Sequence, residues 1–158
     1  MRIRAFAVPI LCAAVCASAF AQDFRKVSWG MTPDQVTAAE ADPRFARLNG
    51  TTKSILTSPV EVMGHGGFLN YIFEDGKLVI AQYRFDDDDE MRTYNEVRGA
   101  LEDKYGAVDQ GQSYSRWTLQ RTFISLSSQD DVCRVTYADL RWIASTKEKQ
   151  RAEHDPYF

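Results

Sequence analysis

Asp75-Gly76 stands between two runs, Phe68 to Glu74 and Lys77 to Phe85, in which apolar and polar residues alternate. An aspartate–glycine pair supplies the positive-φ positions of a two-residue turn, so the runs fold back as the antiparallel strands of a hairpin. The turn places Phe73 opposite Leu78 and Tyr71 opposite Ile80 on one side of the sheet. It then throws Tyr83 and Phe85 onto the other side. Either a bulge shifts the phase near Ile80, or the sheet is covered on both faces.

The flanking segments supply cover. Asp23 to Trp29 reads as a short strand broken by Gly30. Thr32 is a good N-cap, Pro33 suits the first helical position, Asp34 complements the dipole and Gln35 completes a capping box. That helix runs to about Glu40 and stops near Asp42-Pro43. Asn49-Gly50 marks a turn, and with Thr51 forms a glycosylation sequon that matters only in a eukaryotic secretory pathway. Lys53 to Met63 reads as extended, interrupted by Pro59, and Gly64 to Gly67 as a flexible loop. Asp86 to Glu90 opens a second helix, whose residues Met91, Tyr94, Val97, Leu101 and Tyr105 form one apolar stripe and which Gly106 ends. Ser113 to Leu119 and Thr122 to Leu126 form a hairpin around Gln120-Arg121, with Trp117 facing Ile124. Val132 to Tyr137 is the last strand, and residues from Ala144 on read as a charged tail, frayed helix or disordered. The expected fold is α+β: an antiparallel sheet with two main helices on one face. A helix followed by three strands occurs twice, from Thr32 and from Asp88, as a weak duplication.

The first 21 residues read as a leader. Arg2 and Arg4 precede an apolar run from Ala5 to Phe20, and Ala19-Phe20-Ala21 has the small-x-small pattern of a signal-peptidase site. The run is too short for a membrane span. Cleavage takes Arg2 and Arg4 from the 19 basic residues and leaves the 22 acidic ones, so the exported chain is more acidic than the net −3 of the whole. That balance argues against nucleic acid and gives no drive toward anionic lipid. Cys12 and Cys16 leave with the leader, and the residues before Cys16 lack the pattern of a lipid-attachment box. Cys133 alone remains, so no internal disulfide forms and the core must hold the fold. In its alternating segment Cys133 reads as a small buried residue. The resulting organisation is a leader over 1–21, one domain over 22–143 and a tail over 144–158, destined for the periplasm or the medium.

Few residues point to chemistry. Asp86 to Glu90 lacks the glycine and the spaced oxygens of a calcium loop and reads as a helix cap. His65 has no companion at metal-ligand spacing, and no nucleophile elbow, phosphate loop or dinucleotide fingerprint occurs. Trp29, Trp117 and Trp142 suit a ligand groove or, more commonly, a core. Tyr157-Phe158 resembles the end of an outer-membrane barrel, but the residues before it do not alternate.

The stretch Trp29-Gly30-Met31-Thr32-Pro33-Asp34-Gln35-Val36 resembles the start of small exported bacterial domains that share W-G-M-T-x-x-x-V. Its Gly-Met-Thr-x-x-x-Val core is similar to the BamE (SmpA/OmlA) family and the wider group that shares its fold with β-lactamase-inhibitor proteins. Leu101 to Gly106 adds a weaker likeness. The resemblance implies helices packed on an antiparallel sheet and a role in binding other proteins. The L-G-x-P that follows the first helix in BamE is replaced here by Ala39-Glu40-Ala41-Asp42-Pro43, and the lipid-anchoring cysteine is missing. The expected function is therefore a non-catalytic binding domain of the cell envelope, without cofactor or metal, whose partner is another envelope protein. Its binding surface is the exposed sheet face or the Gly64–Gly67 segment. A small-ligand carrier is the alternative, with an apolar cleft between sheet and helices. Trp29, His65, Tyr71 and Trp117 are the candidate binding residues.

Overall fold

The structure, a computed structural model, describes residues 23–42, 44–50, 52–86, 88–110 and 114–154. The leader, Thr51 of the sequon, Ser113 and Tyr157-Phe158 lie outside the described residues. In chain order the elements are α1 (Pro33–Glu40), β1 (Ala46–Asn49), β2 (Lys53–Val62), β3 (His65–Glu74), β4 (Lys77–Phe85), α2 (Glu90–Tyr105), β5 (Asp109–Gln110), β6 (Tyr114–Thr118), β7 (Thr122–Gln129), β8 (Val132–Asp139) and α3 (Leu140–His154). The strands form one antiparallel sheet in the order β1-β2-β3-β4-β8-β7-β6-β5. The fold is α+β. Two short strands, β1 and β5, extend the predicted set, so four strands follow each of the first two helices. Among the described residues no helix is long and apolar enough to cross a membrane.

A bulge resolves the phase conflict of the central hairpin. Ile72 pairs with Ile80 but Phe73 pairs with Leu78, which leaves Val79 as the extra residue. Tyr71 therefore lies opposite Ala81 and not Ile80, and Leu69 lies opposite Tyr83. Tyr83 and Phe85 thus share a face with Tyr71 and Phe73. The same face continues through Cys133, Val135 and Tyr137 of β8, Ile124 and Leu126 of β7, and Trp117 of β6. Trp117 faces Ile124 as the alternation predicts, and Cys133 is buried. These residues join Val36 of α1 and Tyr94, Val97 and Leu101 of α2 in one apolar cluster.

Both predicted caps are present. Thr32 Oγ1 accepts from the Gln35 N–H at 3.3 Å, and Gln35 Oε1 accepts from the Thr32 N–H at 2.9 Å. Asp89 Oδ1 accepts from the Arg92 N–H at 3.0 Å and starts α2 within the acidic run. Met91 departs from the predicted stripe and is 50 % exposed. In that first turn Thr93 takes the inward place, while the Met91 sulfur lies at the rim, 3.7 Å from Ser128 Oγ.

Three further expectations are corrected. Asp23 to Trp29 is not a strand. A tight turn at Arg25-Lys26, with Arg25 at φ 49°, limits pairing to the single bridge between Phe24 and Val27. Gly64 to Gly67 is not a loop either. Met63-Gly64 makes the turn and β3 begins at His65, because β2 and β3 pair along their whole length from Lys53↔Glu74 to Val62↔His65. The C-terminal segment is a helix through His154, the helical one of the two expected alternatives, and it begins at Leu140 and not at Ala144. Its start is tied down: Asp139 Oδ1 accepts from the Arg141 N–H at 2.9 Å, and the Trp142 indole N–H meets the Glu74 carboxylate.

The Trp-Gly-Met segment clasps the sheet at the bulge. The Gly30 N–H donates to the Leu78 carbonyl at 2.9 Å, and the Leu78 N–H donates to the Met31 carbonyl at 2.8 Å. Gly30 holds φ 88°, a conformation that glycine adopts without strain.

Two glycine substitutions separate backbone strain from crowding. A Cβ at Gly30 meets nothing within 4 Å, so Gly30→Ala is expected to cost only the left-handed penalty, about 1–2 kcal/mol. A Cβ at Gly67 runs into the backbone carbonyl of Arg84, which cannot swing away, so Gly67→Ala is expected to cost about 1–3 kcal/mol through displaced strands. Urea unfolding measures both. Amide shifts at Arg84 and Phe85 are expected to change for Gly67→Ala and not for Gly30→Ala, whose effects centre on Leu78.

Candidate functional site

The four candidate binding residues are all buried, and each is held by its own partner. The Trp29 indole N–H donates to Thr122 Oγ1 at 3.0 Å, and the Trp117 indole N–H donates to the Gly106 carbonyl at 2.9 Å. Tyr71 is fully buried and donates its hydroxyl to Glu40 Oε1 at 2.6 Å. The other Glu40 oxygen lies 3.2 Å from an Arg25 guanidinium nitrogen. Burial, and then the hydrogen bond to Glu40, push the Tyr71 phenol far above its ordinary range, so it remains a donor. Burial likewise raises Tyr83 and Tyr137. The Phe24 ring packs on Tyr71, Tyr83 and Tyr137 with centroids 5.9, 5.6 and 4.7 Å away. Tyr71 is therefore the polar anchor of an aromatic core.

The structure does not gather Trp29, Tyr71 and Trp117 around one cleft. Trp29 lines an open cleft of about 590 Å³ between the Glu74–Lys77 turn and α3, together with Trp142, Arg141 and Lys149. Trp117 borders a separate groove of about 570 Å³ with Tyr105, Val108 and Arg116. His65 lies in a third depression of about 330 Å³ with Met63, Asp88 and Arg92. These three share no lining residue.

His65 has the richest polar surroundings. Its Nε2 lies 2.7 Å from Glu96 Oε2 and its Nδ1 lies 3.2 Å from Thr93 Oγ1. Glu96 Oε1 accepts from Arg92 Nε at 2.9 Å, and the Phe85 ring packs edge-on at 6.2 Å. With Nε2–H of a neutral ring donating to the carboxylate, Nδ1 and the Asp89 carbonyl compete for the single proton of the threonine hydroxyl. Hydroxyl, imidazole and carboxylate are the groups of nucleophilic catalysis. Here, however, Thr93 is 1 % exposed, and its hydroxyl also lies 3.2 Å from the Asp89 carbonyl of its own helix. Thr93 nevertheless lines the same depression as His65. What the arrangement does is lock the β2–β3 turn onto the first turns of α2. Among the described residues no three His, Cys, Asp or Glu side chains converge as a metal site.

Sequence reasoning singled out His65 but not Thr93 or Glu96, and Tyr71 but not Glu40 or Arg25. The spacing of Thr93 and Glu96, three apart on one helix, puts them on neighbouring positions. Nothing in the chain announces that His65, 28 positions from Thr93 and 31 from Glu96, meets them.

Hydrogen bonds from Arg92, and then from His65, hold the Glu96 carboxyl below its ordinary value. A lowered folded-state value means that this contribution is complete above the ordinary glutamate pKa and is lost as pH falls through the lowered one. Glu96→Gln is therefore expected to lower the melting temperature at pH 7. The gap to the parent protein is expected to close as pH falls below about 4. A Thr93→Val protein with unchanged acid dependence and a lower melting temperature is expected from loss of the buried hydroxyl. Thermal melts across pH 3–8 check both.

No protein-family model, no curated protein and no solved structure matches this chain.

Proposed function

We propose that the protein is an exported, non-catalytic binding domain of the cell envelope that presents one face of its sheet to another protein. The observation that carries this reading is the composition of the face opposite the core. Register places Leu48, Ile55, Ile72, Ile80, Ala138 and Phe123 side by side across β1, β2, β3, β4, β8 and β7. A polar row lies beside it, where Gln82 Nε2 donates to Thr136 Oγ1 at 3.0 Å. Beyond that lies a row containing Phe68, Arg84, Arg134 and Tyr114. Leu48, Phe68 and Tyr114 are exposed there, whereas every large side chain on the core face of β3 is buried. Ile55, Ile72, Ile80 and Phe123 are half-buried and Ala138 is buried, so the exposed apolar side chains stand apart on β1, β3 and β6, and a protein partner would cover them together with the half-buried row between.

On this reading α1 and α2 lie together on the core face and leave the other face to the partner. The shared apolar cluster of Val36, Val97 and Leu101 supports that packing. The helix-then-four-strands order, repeated with β4 and β8 antiparallel at the centre, supports a duplicated unit. The basic head, apolar run and Ala19-Phe20-Ala21 support export. The resemblance of the W-G-M-T-x-x-x-V segment to the BamE family and its fold group supports protein binding over catalysis. So does the burial of Thr93, the hydroxyl beside His65, at 1 % exposure.

The 590 Å³ cleft favours a second reading, a small-ligand carrier, because Trp29 and Trp142 both line it.

Site-specific photo-crosslinking in intact cells separates the two. A photoreactive residue at Phe68 or Thr136 is expected to give a discrete protein adduct, and one at the exposed Asp103 of α2 none. Adducts from Lys149 in the cleft, with the sheet face silent, overturn the first reading in favour of the second.

A further inference from the structure

We infer that the partner brings an acidic peptide segment, which lies across the strands over Arg84 and Arg134. This deepens the sheet-face reading and rests on it. The two arginines lie directly opposite each other in the β4–β8 pair, both on the face away from the core. Like charges at opposed positions cost stability in a sheet, and nothing in the fold calls for them. The overall charge is −3, so the pair is a local reversal of sign on an acidic protein. Arg116, on the neighbouring polar row, adds a third guanidinium, stacked at 4.7 Å on the Tyr114 ring.

Among the described residues one carboxylate pairs with this group: Asp86, at 3.0 Å from Arg84. Asp109 occupies the register position opposite Arg116. Arg134 donates to the Gln129 carbonyl at 3.5 Å, a long contact that leaves its other donors to be accounted for. Exposed aromatics close the band at both ends, Phe68 at 40 % exposure on β3 and Tyr114 at 45 % on β6. Four strand spacings separate them, about 19 Å, which an extended segment of about six residues spans. Guanidinium forks bind carboxylates in a planar, two-bond geometry, and the flanking rings pack apolar side chains. The surrounding negative charge disfavours a long phosphate backbone but tolerates a short segment whose carboxylates meet the arginines alone. Charge complementarity therefore selects an acidic protein segment over nucleic acid or anionic lipid.

The test is an amide-shift titration of the purified protein with a ten-residue peptide that alternates Asp and Leu. Three controls accompany it: the same peptide with Lys for Asp, phosphatidylglycerol vesicles and a single-stranded oligonucleotide. The expected result is shift changes confined to β3, β4, β8, β7 and β6 around the arginine band, for the acidic peptide alone, weakening as salt rises. Arg84→Ala with Arg134→Ala is expected to weaken binding at least tenfold, and Arg134→Lys, which keeps the charge but loses the fork, by less. Arg134→Thr is expected to raise the melting temperature, since it removes the opposed charge. No shift, shifts elsewhere, binding that survives the double substitution, or preference for vesicles or oligonucleotide each overturns the proposal. If the titration is silent while Phe68 and Thr136 still crosslink in cells, the acidic partner is wrong and the sheet-face reading stands. If the crosslinks are absent too, both fall.

Discussion

The extra residue at Val79 governs this fold. Without it, the Asp75-Gly76 turn would send Phe73 and Leu78 to one face and Tyr83 and Phe85 to the other. With it, the aromatic residues at both ends of the central hairpin point the same way, and the core closes on one face. A bulge also disrupts the ladder locally and leaves backbone groups available for other partners. Leu78, next to the extra residue and beyond the end of the β4–β8 ladder, bonds through both its polar groups to the Trp-Gly-Met segment. The first helix is thereby anchored at the point where the sheet changes phase.

That anchoring explains the form of the N-terminal motif. Trp29 fills the core and satisfies its N–H on Thr122, from the far side of the sheet order. Gly30 supplies the positive φ that lets its N–H reach Leu78, Met31 accepts from the same residue, and Thr32 caps the helix. Each residue of W-G-M-T has a job in joining helix to sheet. The motif is a structural clasp, so a resemblance carried by it speaks of architecture before it speaks of activity.

What could be read in the sequence was local. The two caps, the Asp75-Gly76 turn, the Trp117–Ile124 pairing and the burial of Cys133 each depend on residues within a few positions or on simple alternation. What escaped was long-range or weakly patterned. Gly64-His65-Gly66-Gly67 looks like a loop by composition, yet pairing with β2 overrides propensity and brings His65 under α2. Helix α3 carries no apolar stripe, and its start depends on Asp139 at the end of a strand and on a contact between Trp142 and Glu74, 68 residues apart. The Glu40–Tyr71–Arg25 anchor escaped for the same reason, since a buried carboxylate at the end of a short helix is unfavourable until its partners are in view. The candidate binding residues were chosen as aromatics and a histidine, and such side chains are also what a disulfide-free core recruits.

The phase change has a second consequence, on the outside. In the unbulged register Arg84 would share a face with Phe73 and Leu78 and would have to be buried. The shift that brings Tyr83 and Phe85 inward turns Arg84 outward, where β8 already presents Arg134. One inserted residue thus builds the apolar core and the arginine pair together, and neither can be moved without the other. A sheet stabilised solely by its inner face could place threonine at both outer positions at no cost to that core. Two opposed arginines stand there instead, between two exposed rings, so the packing of the inner face does not by itself account for the outer row.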